Sequence, residues 1–169
     1  MTGQQYQEAT PLVAAYAAPH LWATNKEVRM QTDETTLSEE EWRKRLSPEQ
    51  FHVLRKHGTE RAGTSTLNAE KRGGIFVCAG CGQPVYRSDT KFESGTGWPS
   101  FWAPIEGAVA TTTDRSWFMS RTEVHCARCQ GHLGHVFDDG PKPTGQRYCM
   151  NGVAMQFEPD AQERGGQKP

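Results

Sequence analysis

Aliphatic bulk is what this sequence has least of. Leu, Ile, Val and Phe together supply 25 of its 169 residues, about 15%, below the roughly 20% under which a strongly charged chain is read as disordered. The charge condition is not met, because 19 basic and 20 acidic residues leave a formal net charge of −1. A near-neutral chain with so thin a core points to a small domain stabilised by more than apolar burial, for which disulfides and metal ions are the common means. A field of one sign is missing too, which removes the electrostatic basis for binding nucleic acid or an anionic membrane. No run of 18 apolar residues occurs, so no segment has the length of a membrane-spanning helix. The mildly apolar stretch 9–23 has no Lys or Arg before it, and a secretory signal needs a positive segment there. The expectation is a cytoplasmic protein whose cysteines serve metal binding or catalysis more than structural disulfides.

The length suits one domain with extensions. Residues 1–37, rich in Gln, Thr and Ala without a sustained period, read as an N-terminal extension, 38–158 as a single catalytic domain and 159–169 as a C-terminal tail. Two capping boxes open the domain, Ser38 with Glu41 and Ser47 with Gln50, the second carrying Pro48 at the first helical position. The second helix is expected over 48–57, ending at Gly58. The charged run 39–45 reads as a solvated helix face. From Gly74 onward short β-prone runs alternate with Gly, Pro and Asp turns, placing strands at 75–77, 84–86, 108–112, 117–120, 122–125, 136–137 and 147–157. The fold class is therefore α+β and mainly β: two antiparallel sheets as a sandwich or open barrel, with short N-terminal helices.

Four of the five cysteines form two C-x2-C knuckles, Cys78–Cys81 and Cys126–Cys129, each following an expected strand. Tetrahedral zinc takes four thiolates, and two intervening residues let one tight turn aim both sulfurs at the same ion. Two buried cysteine pairs or one redox motif are the alternatives, but redox motifs do not normally come in matched pairs. Four thiolates fill the coordination shell, so the zinc would be structural, joining two hairpins. Such an ion contributes on the order of 10–16 kcal/mol in small zinc modules, comparable with the whole stability of an ordinary domain.

The fifth cysteine, Cys149, lies in Gln-Arg-Tyr-Cys-Met-Asn, 146–151. On a strand, the period of two sets Arg147, Cys149 and Asn151 on one face. A cation beside a thiol favours the nucleophilic thiolate, although a lone cysteine can equally be a small buried apolar residue. His132 and His135, three apart between glycines, can carry a proton near neutral pH. A second metal on that pair lacks an obvious third ligand, and His20, His52, His57 and His125 read as structural. Gly95 to Trp102 is a glycine-rich turn with three aromatics that can wall a pocket for a methyl or sulfur group.

The segments KFESGTGWPSFW, RTEVHCARC, GHLGHVFDDGPKPTG and RYCMNGVAMQF, spread from about His57 to Phe157, resemble the methionine-R-sulfoxide reductase B family. The resemblance implies reduction of the R epimer of methionine sulfoxide, free or in oxidised proteins, by a thiol without an organic cofactor; the epimers have separate enzymes, of which this family is one. It implies that Cys149 is the nucleophile and Trp98 the wall for the substrate methyl. His132, His135 and Asn151 would surround the sulfoxide oxygen, and Phe137 and Arg147 would complete the site. Cys78, Cys81, Cys126 and Cys129 match the zinc ligands of many members. Where many members carry a resolving cysteine this chain has Thr96, which leaves thioredoxin or another thiol reductant to regenerate the enzyme. A zinc-ribbon binding module is the main rival, but it calls for a basic face that the charge balance does not supply. A zinc hydrolase calls for an open coordination position that four cysteines do not leave.

Overall fold

A computed structural model describes residues 37–116 and 119–161. The expected extension over 1–36, Trp117 and Phe118 of one expected strand, and residues 162–169 of the expected tail lie outside the described residues. Both capping boxes close. Ser38 Oγ accepts from the Glu41 N–H at 3.3 Å while Glu41 Oε2 accepts from the Ser38 N–H at 2.8 Å, and Ser47 and Gln50 repeat the exchange at 3.1 and 3.0 Å. They start α1, Glu39–Arg45, and α2, Pro48–Lys56. The second helix ends one residue short of the expected 48–57 because His57, not Gly58, takes the left-handed conformation, φ 54°. Gly58 serves close packing instead, since a Cβ there would lie 2.3 Å from the His52 ring. The charged run of α1 is solvated on one face only; Trp42, within it, is buried.

The strands are β1 Gly74–Cys78, β2 Pro84–Arg87, β3 Lys91–Phe92, β4 Ser100–Phe101, β5 Val109–Ser116, β6 Met119–Cys126, β7 His132–Phe137, β8 Arg147–Met150 and β9 Met155–Pro159. All pair antiparallel in two sheets, ordered β2-β1-β9 and β3-β4-β8-β7-β6-β5, as the sequence patterning implies. The differences have local causes. Strand β7 begins at His132, well before the expected Val136, because Gly134 hides a strand position: a Cβ there would stand 2.2 Å from the Cys149 carbonyl oxygen. The single expected strand 147–157 is divided by a 3-10 turn at Gly152–Ala154, where two backbone N–H groups turn to the Glu60 carboxylate instead of a ladder partner. That turn carries the chain from the six-stranded sheet, β8, to the three-stranded sheet, β9.

Phe76 of β1, Tyr86 of β2 and Phe101 of β4 join the two sheets. Phe101 stacks on Tyr86 at 4.3 Å and meets Phe76 edge-on at 4.9 Å, an arrangement that adds to the area these rings bury. The Tyr86 hydroxyl donates to Met150 Sδ at 3.1 Å, fixing the end of β8 against the same layer. Among the described residues no helix is long and apolar enough to cross a membrane.

Candidate active site

The two knuckles are built alike. Strand β1 ends at Cys78 and β6 at Cys126. In each the first cysteine carbonyl accepts from the N–H four residues on, Gly82 at 2.8 Å and Gln130 at 3.0 Å, and both of those residues have positive φ, 72° and 59°. The turns bring the four sulfurs within 4.8 Å of one another. Cys78 Sγ lies 3.7 Å from Cys129 Sγ and Cys81 Sγ 3.6 Å from Cys126 Sγ. A disulfide would need about 2.05 Å, whereas sulfurs bound about 2.3 Å from a common tetrahedral ion stand roughly 3.8 Å apart. The donor set thus fits a four-coordinate metal ion. The helices cover it: Arg55 of α2 donates to the Cys129 carbonyl at 2.8 Å and lies 4.9 Å over the Trp42 ring.

Strands β7 and β8 bring the candidate site residues together. In their register His135 faces Cys149 and Phe137 faces Arg147, and because side chains two apart share a face, all four stand on one side of the sheet. Cys149, His135, Phe137, Trp98 and Asn151 line an open cleft of about 150 Å³, with Thr59 and Arg121, which sequence reasoning had not singled out. Arg147 sits 4.4 Å over the Phe137 ring and forms a two-pronged contact to Asp139 at 2.8 and 2.9 Å. That pairing raises the Arg147 pKa, against the effect of burial, and lowers that of Asp139. Thr96 Oγ1 lies 3.8 Å from Cys149 Sγ.

His132 stands behind this wall, 2% exposed, its ring edge-on to His135 at 5.3 Å. Its Nδ1 is 2.7 Å from Glu123 Oε1. A carboxylate only accepts, so the contact assigns the neutral ring its proton at Nδ1 and leaves Nε2, buried without a partner, as the acceptor. Burial lowers the His132 pKa, opposed by the hydrogen bond and charge of Glu123. The same carboxylate oxygen lies 2.8 Å from His57 Nδ1. His57 is therefore not the isolated structural histidine that its sequence context suggests, and Glu123 is a site residue missed altogether. These ligating atoms converge as a third-ligand group would, but their spacing is that of hydrogen bonds, and the three form a hydrogen-bonded triad.

Asn151 lies one residue past the end of β8, and its amide is largely committed. Oδ1 accepts from the Glu60 N–H at 2.9 Å and Nδ2 donates to the Leu133 carbonyl at 3.1 Å. Glu60, only 6% exposed, is the second missed residue. Its carbonyl accepts from Trp98 Nε1 at 3.1 Å, and its carboxylate receives the N–H groups of Gly152 at 2.6 Å and Val153 at 2.9 Å. One buried residue thus ties the indole to the segment that follows Cys149. A Cβ at Gly152 would lie 1.9 Å from Ser65 Oγ, so the close approach depends on glycine. The sequence signal for Glu60 was its place just past α2, within the span of the resemblance.

Residues 46–159 match the SelR domain family. The peptide methionine sulfoxide reductase MsrB of Methanosarcina barkeri is 54% identical over 132 residues, 78% of this chain and 93% of that protein. Those of Methanosarcina mazei and Pseudomonas putida are 58% identical over 121 residues and 56% over 131, covering 71% and 77% of this chain and 86% and 97% of theirs. With a strand pair that presents Cys149 opposite His135 in a cleft that Trp98 also lines, and relatives matched over nearly their whole length, the chain belongs to the MsrB family of peptide methionine sulfoxide reductases.

Proposed function

We propose that this protein reduces the R epimer of methionine sulfoxide in oxidised proteins, with Cys149 as nucleophile and a sulfenic acid as intermediate. The observation that carries the reading is the cross-strand pairing of Cys149 with His135 in a cleft lined by Trp98. The Cys149 sulfur attacks the sulfoxide sulfur while the sulfoxide oxygen receives a proton. The intermediate collapses with transfer of that oxygen to Cys149, two electrons passing to the substrate sulfur, which leaves as methionine.

His135 is the proton donor in this reading. It lines the cleft, whereas His132 is buried and neutral, with its one proton held toward Glu123; His132 orients His135 from behind. Asn151, held by Glu60, keeps its part of the cleft lining in place, and Arg147 holds the Phe137 ring that lines the cleft. Trp98 receives the substrate methyl on its indole face, which is where the epimers would be told apart.

The sulfenic acid returns to thiol when two reductant thiols become a disulfide and the oxygen leaves as water. All four other cysteines sit together in the four-sulfur group, and so the thiols come from thioredoxin or another small dithiol. Cys78, Cys81, Cys126 and Cys129 hold zinc, which stabilises the fold and takes no part in the reaction. The catalytic domain spans 38–158, and a reducing cytoplasm suits both cysteine sets.

The direct test is incubation with a racemic sulfoxide and dithiothreitol. The R epimer is expected to disappear, the S epimer to persist, and Cys149→Ser to consume neither. Consumption of both epimers at equal rates would overturn the stereochemical assignment.

A further inference from the structure

The glycine-rich turn between β3 and β4 carries a line of hydroxyl groups that ends on the nucleophile. Ser100 Oγ lies 2.7 Å from Ser94 Oγ, Ser94 Oγ lies 2.8 Å from Thr96 Oγ1, and Thr96 Oγ1 lies 3.8 Å from Cys149 Sγ. At the far end the Ser100 hydroxyl donates to the Trp98 carbonyl at 3.2 Å. Ser100 is 1% exposed and is the cross-strand partner of Cys149. The turn that gathers three hydroxyls within seven residues is pinned from outside. The Gly97 carbonyl accepts from Gly63 N at 2.7 Å and from Asn68 Nδ2 at 2.9 Å. Gly97 itself has φ 89°, with room for a Cβ blocked by Gly63 N at 2.9 Å.

Counting protons along this line shows what it can do. Each hydroxyl supplies one proton and accepts readily. With Cys149 as a thiol, four protons serve four contacts, all directed away from sulfur: thiol to Thr96, Thr96 to Ser94, Ser94 to Ser100, Ser100 to the Trp98 carbonyl. With Cys149 as a thiolate, three protons serve three contacts directed toward it, from Ser100 through Ser94 to Thr96 and the sulfur. Only the Trp98 carbonyl loses a donor. Passing between the two arrangements takes rotation about three C–O bonds and no movement of backbone.

We propose that Thr96 is a catalytic residue whose hydroxyl donates to the Cys149 sulfur as it becomes the attacking thiolate, with Ser94 and Ser100 as positioning residues that hold that hydroxyl in the donating orientation. The S–H first turns from Thr96 to the cleft side by rotation about the Cβ–Sγ bond; its proton then passes to the His135 imidazole and reaches the sulfoxide oxygen from there. The 3.8 Å contact shortens as charge gathers on sulfur, as catalytic hydrogen bonds commonly do once the reacting complex forms. Thr96 thus supports the nucleophile from the position where a resolving cysteine would otherwise stand. The proposal rests on Cys149 being the nucleophile.

The experiment measures, at pH 7, iodoacetamide alkylation of the Cys149 peptide by mass spectrometry and sulfoxide reduction with dithiothreitol. Thr96→Val keeps the shape and removes the donor; it is expected to slow both rates in parallel by about tenfold, the effect of one hydrogen bond to a charged group. Thr96→Ser should stay within about twofold of the parent, and Ser94→Ala should fall between. Thermal melting and zinc content verify that each variant is folded. Wild-type alkylation in Thr96→Val, or Thr96→Ser as slow as Thr96→Val, would overturn the proposal. Cys149→Ser separates the two levels: sulfoxide reduction by that variant would remove the nucleophile assignment itself, whereas an inert Cys149→Ser beside an unaffected Thr96→Val would remove only the hydroxyl line.

Discussion

Removing the His135 imidazole and removing the Trp98 indole should damage different constants. A proton donor acts chiefly in the transition state, so His135→Ala is expected to lower kcat by about 10²- to 10⁴-fold with KM little changed. Trp98→Ala should raise KM and weaken discrimination between epimers, because the wall acts on bound substrate before chemistry begins. Steady-state kinetics on each pure epimer separate the two, and the reverse division would exchange the roles. Cys149, His135 and Trp98, which line one cleft, each stand in a short motif that sequence reading could single out. Glu60 and His57 do not: their contacts to Asn151 and Glu123 span 91 and 66 residues. Only the fold reveals that the histidine next to a helix end meets the carboxylate across from His135.

At the scale of elements, the division of the last β segment matters most, because the turn between β8 and β9 sets where the strand bearing Cys149 ends. Its first two N–H groups are satisfied by the Glu60 carboxylate, and a buried donor left unsatisfied costs about 1–3 kcal/mol. Glu60→Ala is therefore expected to lower unfolding free energy by about 2–4 kcal/mol in urea titration. A variant as stable as the parent would show that water replaces the carboxylate freely. The knuckles and capping boxes are legible because their geometry repeats over three or four residues. Strand β7 is partly hidden because Gly134 and the two histidines do not look β-prone, although Gly134 is what lets β7 pack against β8. The two-residue strands β3 and β4 carry too little pattern to be read at all; β8 offers a partner to β4, and β4 in turn to β3.

For the molecule as a whole, the shortage of aliphatic residues and the four-sulfur cluster belong together. The core that exists is concentrated where Phe76, Tyr86, Phe101 and Met150 meet, while the α1–α2 end packs on the knuckles through Trp42, Leu54 and Arg55. With the proposed zinc bound at the four cysteines, Cys78→Ser or Cys129→Ser is expected to lower Tm by tens of degrees and to abolish zinc binding, with activity lost through unfolding. Either variant retaining the parent Tm would mean that the fold does not depend on the metal. A zinc-ribbon binding module would need no cleft, and a hydrolase would need an open metal position; the molecule has the first and, on its cysteines, lacks the second. The mainly β architecture and the convergence of the four cysteines were legible from composition and spacing, whereas the cleft required the register of β7 on β8.

Trapping the enzyme after a single turnover without reductant reaches the central chemistry most directly. Cys149 should then carry a sulfenic acid that dimedone labels once per molecule. No intramolecular disulfide should form, and Thr96→Cys should abolish the label by supplying a resolving thiol within reach of Cys149. Mass spectrometry showing Cys149 bonded to Cys78, Cys81, Cys126 or Cys129 would contradict this chemistry and make the four-cysteine cluster part of the redox cycle.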